Sequence, residues 1–539
     1  MPSYLRALTL AAFLLVVRVS SAADPTVVLN NATFTGITKG GASHFLGIPF
    51  AKPPTGNLRF RRPAAVAPYS GAHRAQSFGP ACPQQGKASK PSNNLDALPQ
   101  EEVDYIDNVI YGSDALPQSE DCLTINVVKP ENATLDSKLP VLVWIFGGGF
   151  QVGSTSTYDG GTIVARSLVM NNPVIFVSMN HRLSGFGFMA GKEVKDAGVG
   201  NLGLHDQQEA LRWVQKYISN FGGDPTKVTI WGESSGAISV ALHMVAYGGN
   251  ARGLFRAAVM QSGAPIPVGD ITNGQEYYDF VVTDTGCSGS PDTLQCLRTV
   301  PYARLKASID KTPSITSYQA LHLTWLPRTD GVMFSDNPQK LVQQGKVARV
   351  PYITGNCDDE GTAFSLSTLN ITQTVFLPGV TDAEVARIIQ EYPQDVAKGS
   401  PFDTGTKNAI TPQYKRIAAF QGDGVFQGPR RWMLNSTAER QNAWVFLSKR
   451  YKNLPVLGSA HGHDLLNSWG GGELQTYIIR FTNVLDPNAL LLPNWPRYRL
   501  NNRQIMTFMG TIPRQKITTD DYRASAMNYL NEVVLRHPV

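Results

Sequence analysis

Between Leu139 and Val245 the chain alternates unbroken apolar runs with stretches of helical period. Val141 to Phe146, Pro173 to Met179 and Val228 to Trp231 are runs without polar alternation. Asp206 to Phe221 brings Leu211, Trp213, Val214, Tyr217 and Ile218 to one side at helical spacing, and Ala237 to Val245 reads as a further helix. A strand that is apolar at every position has both faces covered, which is the condition of an inner strand of a parallel sheet. The alternation therefore predicts the α/β class, with a large, mostly parallel central sheet flanked by helices. Upstream, Val27 to Phe34 and His44 to Ile48 read as short strands before a Pro-rich passage from Pro49 to Pro63. Val103, Ile106, Val109 and Ile110 recur near helical spacing and predict a short amphipathic helix. Thr272 to Ser317 mixes loop and helix signals.

The first residues follow a different logic. A positive charge at Arg6, an apolar run from Ala7 to Val17 and the small residues Ser20 to Ala23 have the layout of a secretory signal peptide. The expected organisation is a signal segment over 1–22 and a single domain over 23–539. The apolar run is too short to span a bilayer, no later stretch reads as a span, and the expected location is extracellular. Export fits four N-glycosylation triplets, at Asn31, Asn132, Asn370 and Asn435, and five cysteines, which in a secreted chain read as two disulfides and one thiol. The net charge of +6 is scattered over 539 residues. Nucleic acid is not an expected partner, because its binding needs a concentrated basic face.

The candidate chemistry centres on Gly232-Glu233-Ser234-Ser235-Gly236, a Gly-x-Ser-x-Gly pentad. Such a pentad arises by chance in chains rich in glycine and serine. This one lies between an apolar strand and a helix, where a tight turn projects the central serine. A serine hydroxyl needs a base, and the oxyanion formed by its attack needs donors. Gly147-Gly148-Gly149, directly after the run Val141 to Phe146, is a candidate source of backbone N–H donors, although glycine runs also mark ordinary turns.

These stretches resemble the type-B carboxylesterase/lipase family, which includes cholinesterases and secreted fungal lipases. The run Phe221 to Gly236 is similar to the family's serine signature, and Glu120-Asp121-Cys122-Leu123 through Asn126 to Pro130 to its second signature. Gly47 to Pro54, Asn180 to Leu183 and Gly200 to Gln207 add to the likeness, which extends from about residue 27 to the C-terminus. The resemblance implies an α/β-hydrolase fold and carboxylic-ester hydrolysis with Ser234 as nucleophile. It implies a histidine base in a His-x-x-acid context, His461 to Asp464, with His461 first and His463 a surface or supporting residue. The acid is expected in Asp359-Glu360-Gly361 as Glu360, with Asp358 and Asp359 as alternatives and Asp359 the stronger rival. Gly148, Gly149 and Ser235 are expected to supply the oxyanion donors. The family disulfides map onto Cys82–Cys122 and Cys287–Cys296, leaving Cys357 as a buried thiol.

No metal or organic cofactor is implied; His461, His463 and Asp464 lack a matching third group of ligands. The expected partner is a small-molecule or lipid ester. The loop between Cys82 and Cys122 spans 39 residues without the tryptophan that binds choline in cholinesterases. In the fungal lipases it carries a lid, which implies an apolar acyl group and a lipid interface. Triglyceride, sterol, feruloyl and short-chain esters all remain open. A non-catalytic binding module is the alternative. A neutral His461 as base predicts loss of activity as it protonates below neutrality.

Overall fold

The computed structural model describes residues 23–86, 100, 103, 116–368, 379–488 and 492–539. The expected signal segment, the predicted helix beyond Val103, and Asn370 lie outside the described residues.

Strands β1 (Thr26–Leu29) and β2 (Asn31–Thr35) form a hairpin turning at Asn30, which takes a positive φ of 52°. Both alternate exposed and buried positions, as expected of strands with one face on a core. The main sheet contains β3 (Ile37–Lys39), β4 (Ala42–Pro49), β6 (Thr124–Pro130), β7 (Leu139–Ile145), β8 (Ile175–Met179), β9 (Gly223–Glu233), β10 (Ala257–Gln261), β11 (Tyr352–Cys357), β12 (Ala443–Lys449), β13 (Gln504–Met509) and β14 (Gln515–Thr519). β5 (Ser70–Arg74) joins β2 in the small sheet.

The order across the main sheet is β14-β13-β12-β11-β10-β9-β7-β8-β6-β4-β3. The stretch from β13 to β8 is parallel throughout, and the antiparallel pairings lie at the two margins. The chain thus has the mostly parallel sheet of the α/β-hydrolase fold. β8, β10 and β11 are buried at every position, which accounts for the absence of a regular polar alternation along them.

Helices used below are α1 (Gly160–Val169), α2 (Leu202–Tyr217), α3 (Ser235–Gly249), α4 (Tyr414–Gly422), α5 (Glu473–Val484) and α6 (Ala524–Arg536). On one face of the sheet, Ile163 and Val164 of α1 and Tyr477, Ile478 and Phe481 of α5 share a core with Trp144 and Trp231. On the other, Leu211 and Val214 of α2 and Val240 and Met244 of α3 pack with Val143 and Ile230. α2 begins at Leu202, earlier than its periodicity predicts, because Leu202 and Leu204 are also buried. The last turn read as helix, Ile218–Phe221, is a 3-10 turn. α3 leaves helical geometry at Ala246, close to the predicted end at Val245. The ambiguous stretch after Thr272 resolves into three short helices, Gln275–Asp284, Thr293–Thr299 and Tyr302–Ile309.

Both expected disulfides, Cys82–Cys122 and Cys287–Cys296, are present, and Cys357 is a buried thiol. Asn31, Asn132 and Asn435 are exposed. Among the described residues no helix is long and apolar enough to cross a membrane.

A buried ion pair locks the loop after β8 to α2. Arg182 donates to Asp206 through its backbone N–H at 3.0 Å, Nε at 2.8 Å and Nη2 at 2.7 Å. Removing one partner strands the other charge in the interior. Asp206→Ala is therefore expected to cost about 3–5 kcal/mol, read as a lower denaturant midpoint. A midpoint within error of wild type would refute this role.

Candidate active site

Strand β9 ends at Glu233 and α3 starts at Ser235, so Ser234 is the whole connection. Its backbone sits at φ 55° and ψ −128°, a strained conformation for a residue with a side chain. Two hydrogen bonds hold it. Its N–H donates to the Gln261 carbonyl at 2.9 Å, and its carbonyl accepts from the Ile238 N–H at 2.9 Å. The flanking positions leave no room for side chains. A Cβ on Gly236 would stand 2.1 Å from the Ile145 carbonyl oxygen, and one on Gly147 would stand 2.9 Å from the Ser234 Cβ. The pairing of Ile145 with Gly232 brings the end of β7 and its glycine run alongside the turn. Gly148, at φ 112°, then turns the chain back through bonds from the Gln151 and Val152 N–H groups to its carbonyl.

His461 lies on the loop after β12, and Glu360 on the turn after β11. The two side chains meet at 2.5 Å, His461 Nδ1 to Glu360 Oε2. The other Glu360 oxygen accepts the Cys357 N–H at 2.7 Å, and the Cys357 carbonyl accepts from Gln427 at 2.8 Å. The rings of Phe426 and Phe364 flank His461, with centroids 4.5 and 5.1 Å away. A niche of ≈ 10 Å³ is bounded by Gly148, Gly149, Glu233, Ser234, Phe364 and His461, among others. That is about the space of one water molecule. The structure therefore brings Ser234, His461, Glu360, Gly148 and Gly149 together, with Ser235 opening the helix beside them.

The rival acids are engaged elsewhere. Asp359 accepts from Lys452 Nζ, from the Ser459 N–H at 2.8 Å and from the Phe402 N–H at 2.8 Å. Asp358 pairs with Lys452 at 2.8 Å. The reading of His463 as a surface residue is corrected: it is buried, its Nδ1 accepts the Ala460 N–H at 3.0 Å, and burial pulls its pKa down to about 4. It is a neutral structural member of the loop that carries His461.

Two further carboxyls stand at the site: Glu233, which sequence reasoning did not single out, and Asp464, the acid of the His-x-x-acid stretch. Glu233 Oε1 lies 3.3 Å from His461 Nε2, and Asp464 Oδ2 accepts from Gln261 at 2.9 Å. Burial pushes Glu233 up to about 8 and Asp464 up to about 6. Burial also opposes a charge on His461, but Glu360 first, then Glu233 and Asp464, outweigh it and hold its pKa above the ordinary 6.5. The Cys357 thiol is pushed well up by burial, which leaves it un-ionised and inert.

From Ser234 a second, apolar cavity of ≈ 100 Å³ runs past Ile238 and Val268 toward Val425, Leu530 and Val534. A larger cleft of ≈ 530 Å³ is lined by Arg416, Lys449 and Arg523 and does not include Ser234. Among the described residues no group of three His, Cys, Asp or Glu side chains is arranged to hold a metal ion.

Known proteins share this architecture. A model of the carboxylesterase family matches residues 23–525. Lipase 4 of Diutina rugosa is 44% identical over 503 residues, covering 89% of this chain and 90% of that protein. A protein named secreted triacylglycerol lipase LIP1 of Gibberella zeae is 38% identical, covering 94% of this chain and 90% of its own. The crystal structure of EstA from Aspergillus niger superposes with a TM-score of 0.81 at 27% identity, covering 96% of this chain and 99% of EstA.

The geometry makes the turn intolerant of any added atom. Gly236→Ala is expected to shift Ser234 and slow its labelling by a fluorophosphonate on the order of a hundredfold, with a lowered Tm. Labelling at the wild-type rate would mean that the turn is not constrained as described.

Proposed function

Because the chain belongs to the carboxylesterase family, we propose that Ser234, His461 and Glu360 are its catalytic nucleophile, base and acid. The chain is a carboxylic-ester hydrolase. The observation that carries the assignment is the 2.5 Å contact between Glu360 and His461 beside the strained turn at Ser234.

In the proposed cycle, neutral His461 takes the Ser234 proton as Oγ adds to the ester carbonyl. Glu360 fixes the tautomer through Nδ1 and stabilises the imidazolium that forms. The N–H groups of Gly148, Gly149 and Ser235 receive the oxyanion. Collapse returns the proton to the departing alcohol and leaves an acyl-serine. Water, deprotonated by His461, adds to that acyl group, and the acid leaves as Ser234 regains its proton.

The substrate class follows from the cavity. Its walls near Ser234 are aliphatic and aromatic, which favours esters of apolar acids. The name of the Gibberella zeae relative favours glycerol esters among them, and a lipid surface as the place where they are met. The relatives named as secreted support an extracellular enzyme, in which 23–539 act as one hydrolase domain after loss of 1–22. Exposed Asn31, Asn132 and Asn435 are the proposed glycan carriers among the described residues.

Ser234→Ala is expected to lower ester hydrolysis on the order of a millionfold. Retention of a tenth of wild-type activity would overturn the nucleophile assignment. Across p-nitrophenyl esters and a triglyceride emulsion, the rate is expected to rise with acyl length and to jump once the ester exceeds its solubility; confinement to short soluble esters would refute the lipid reading.

The pH profile has a definite sign. The base works only when neutral, and its carboxylate neighbours raise its pKa, so kcat/KM should rise with pH through a half-point above 6.5. Glu360→Gln removes the largest raising contribution. It is expected to move that half-point to lower pH while lowering kcat on the order of ten-thousand-fold. An unmoved half-point would contradict Glu360 as the partner of the base.

A further inference from the structure

Apart from Ser234, Ser235 and His322, the cavity that starts at Ser234 is lined by apolar residues and glycine, with one further polar side chain in its wall. Gln421, the penultimate residue of α4, lines it among Phe420, Val425, Leu530 and Val534. Gln421 is 1% exposed, and both its amide oxygen and its amide nitrogen are buried with no hydrogen-bond partner among the described residues. An amide buried in this way costs more than an apolar side chain of the same size, because folding removes its water without replacing it. Among the described residues none supplies a partner, so the cavity is where one can arrive.

We propose that Gln421 is a specificity-determining residue of the acyl pocket, which recognises acyl groups bearing an oxygen function, a hydroxyl or a ketone, along an otherwise apolar chain. This rests on Ser234 being the nucleophile, because only then does the acyl group enter this cavity. The chemistry matches the lining. The aliphatic walls take the methylene groups, and a carboxamide both donates and accepts, so it can pair with a hydroxyl in either sense or with a ketone through its N–H. A plain acyl chain fills the same space but leaves the amide unpaired. A site built to pair with an oxygen discriminates against the analogue lacking it.

The test compares p-nitrophenyl decanoate with its mono-hydroxy positional isomers, the hydroxyl in the distal half of the chain. Wild type is expected to prefer at least one isomer over plain decanoate by about tenfold in kcat/KM. Gln421→Leu is expected to gain on plain decanoate, to lose on that isomer, and so to abolish the preference; Gln421→Met gives the same comparison if the leucine variant folds poorly. Tm should rise in both variants as the unpaired amide is removed. A wild type that favours no isomer, or a preference that survives in both variants, overturns the proposal while leaving plain-ester hydrolysis in place. A wild type inactive on every ester instead overturns the assignment of Ser234, and the pocket reading with it.

Discussion

At the ends of the central parallel strands β7 and β9, two strands and a helix crowd into the same few ångströms. Ser234 has its unusual backbone conformation because β9 must end and α3 begin with no linker between them. That turn closes only if its neighbours shrink: the Ile145 carbonyl occupies the place of a Gly236 side chain, and Glu233 and Ser234 occupy that of a Gly147 side chain. The same crowding fixes the positions of the proposed oxyanion donors. β7 and β9 are adjacent and in register to their ends, so the glycine run leaving β7 arrives beside Ser234. Register in a parallel sheet thus becomes geometry in the reaction niche.

The second determinant is charge. A buried imidazole is ordinarily kept neutral by its surroundings, as His181, His243 and His463 are here. His461 differs because three buried carboxyls surround it. Glu360 is bonded to it, while Glu233 and Asp464 are pushed upward by burial. Glu360, bonded to Nδ1, is the carboxyl proposed to act directly on the base. An imidazolium formed in the reaction arises in a field already suited to it, with little reorganisation needed.

Much of this was legible in the sequence, for physical reasons that differ by element. The inner strands announced themselves because burial on both faces leaves no polar alternation. The pentad, the glycine run and the His-x-x-acid stretch could be placed because tight turns restrict which residues fit. Glu360 was chosen on the family resemblance, while Asp358 and Asp359 stayed open as alternatives, since the direction in which each of three adjacent carboxyls points is set only by folding. Lys452 and the Phe402 and Ser459 N–H groups, all distant in the chain, take up the rivals. His463 was left open between a surface and a supporting role because a histidine in a polar stretch can be either; the loop folds inward, and the supporting reading holds. Glu233 stood in a variable position of the pentad, and Gln421 in a helix with nothing to mark it. Both matter only through what faces them after folding.

One serine, held in a strained turn, is the proposed covalent centre of this enzyme. The most direct measurement is mass spectrometry of the intact protein and its peptides after reaction with a fluorophosphonate. One adduct per chain is expected, on the peptide carrying Ser234 and on that residue, formed faster as pH rises through the His461 titration. Modification of Ser235 or of a residue outside the pentad, or an unmodified chain whose ester hydrolysis is nonetheless lost, would contradict that assignment.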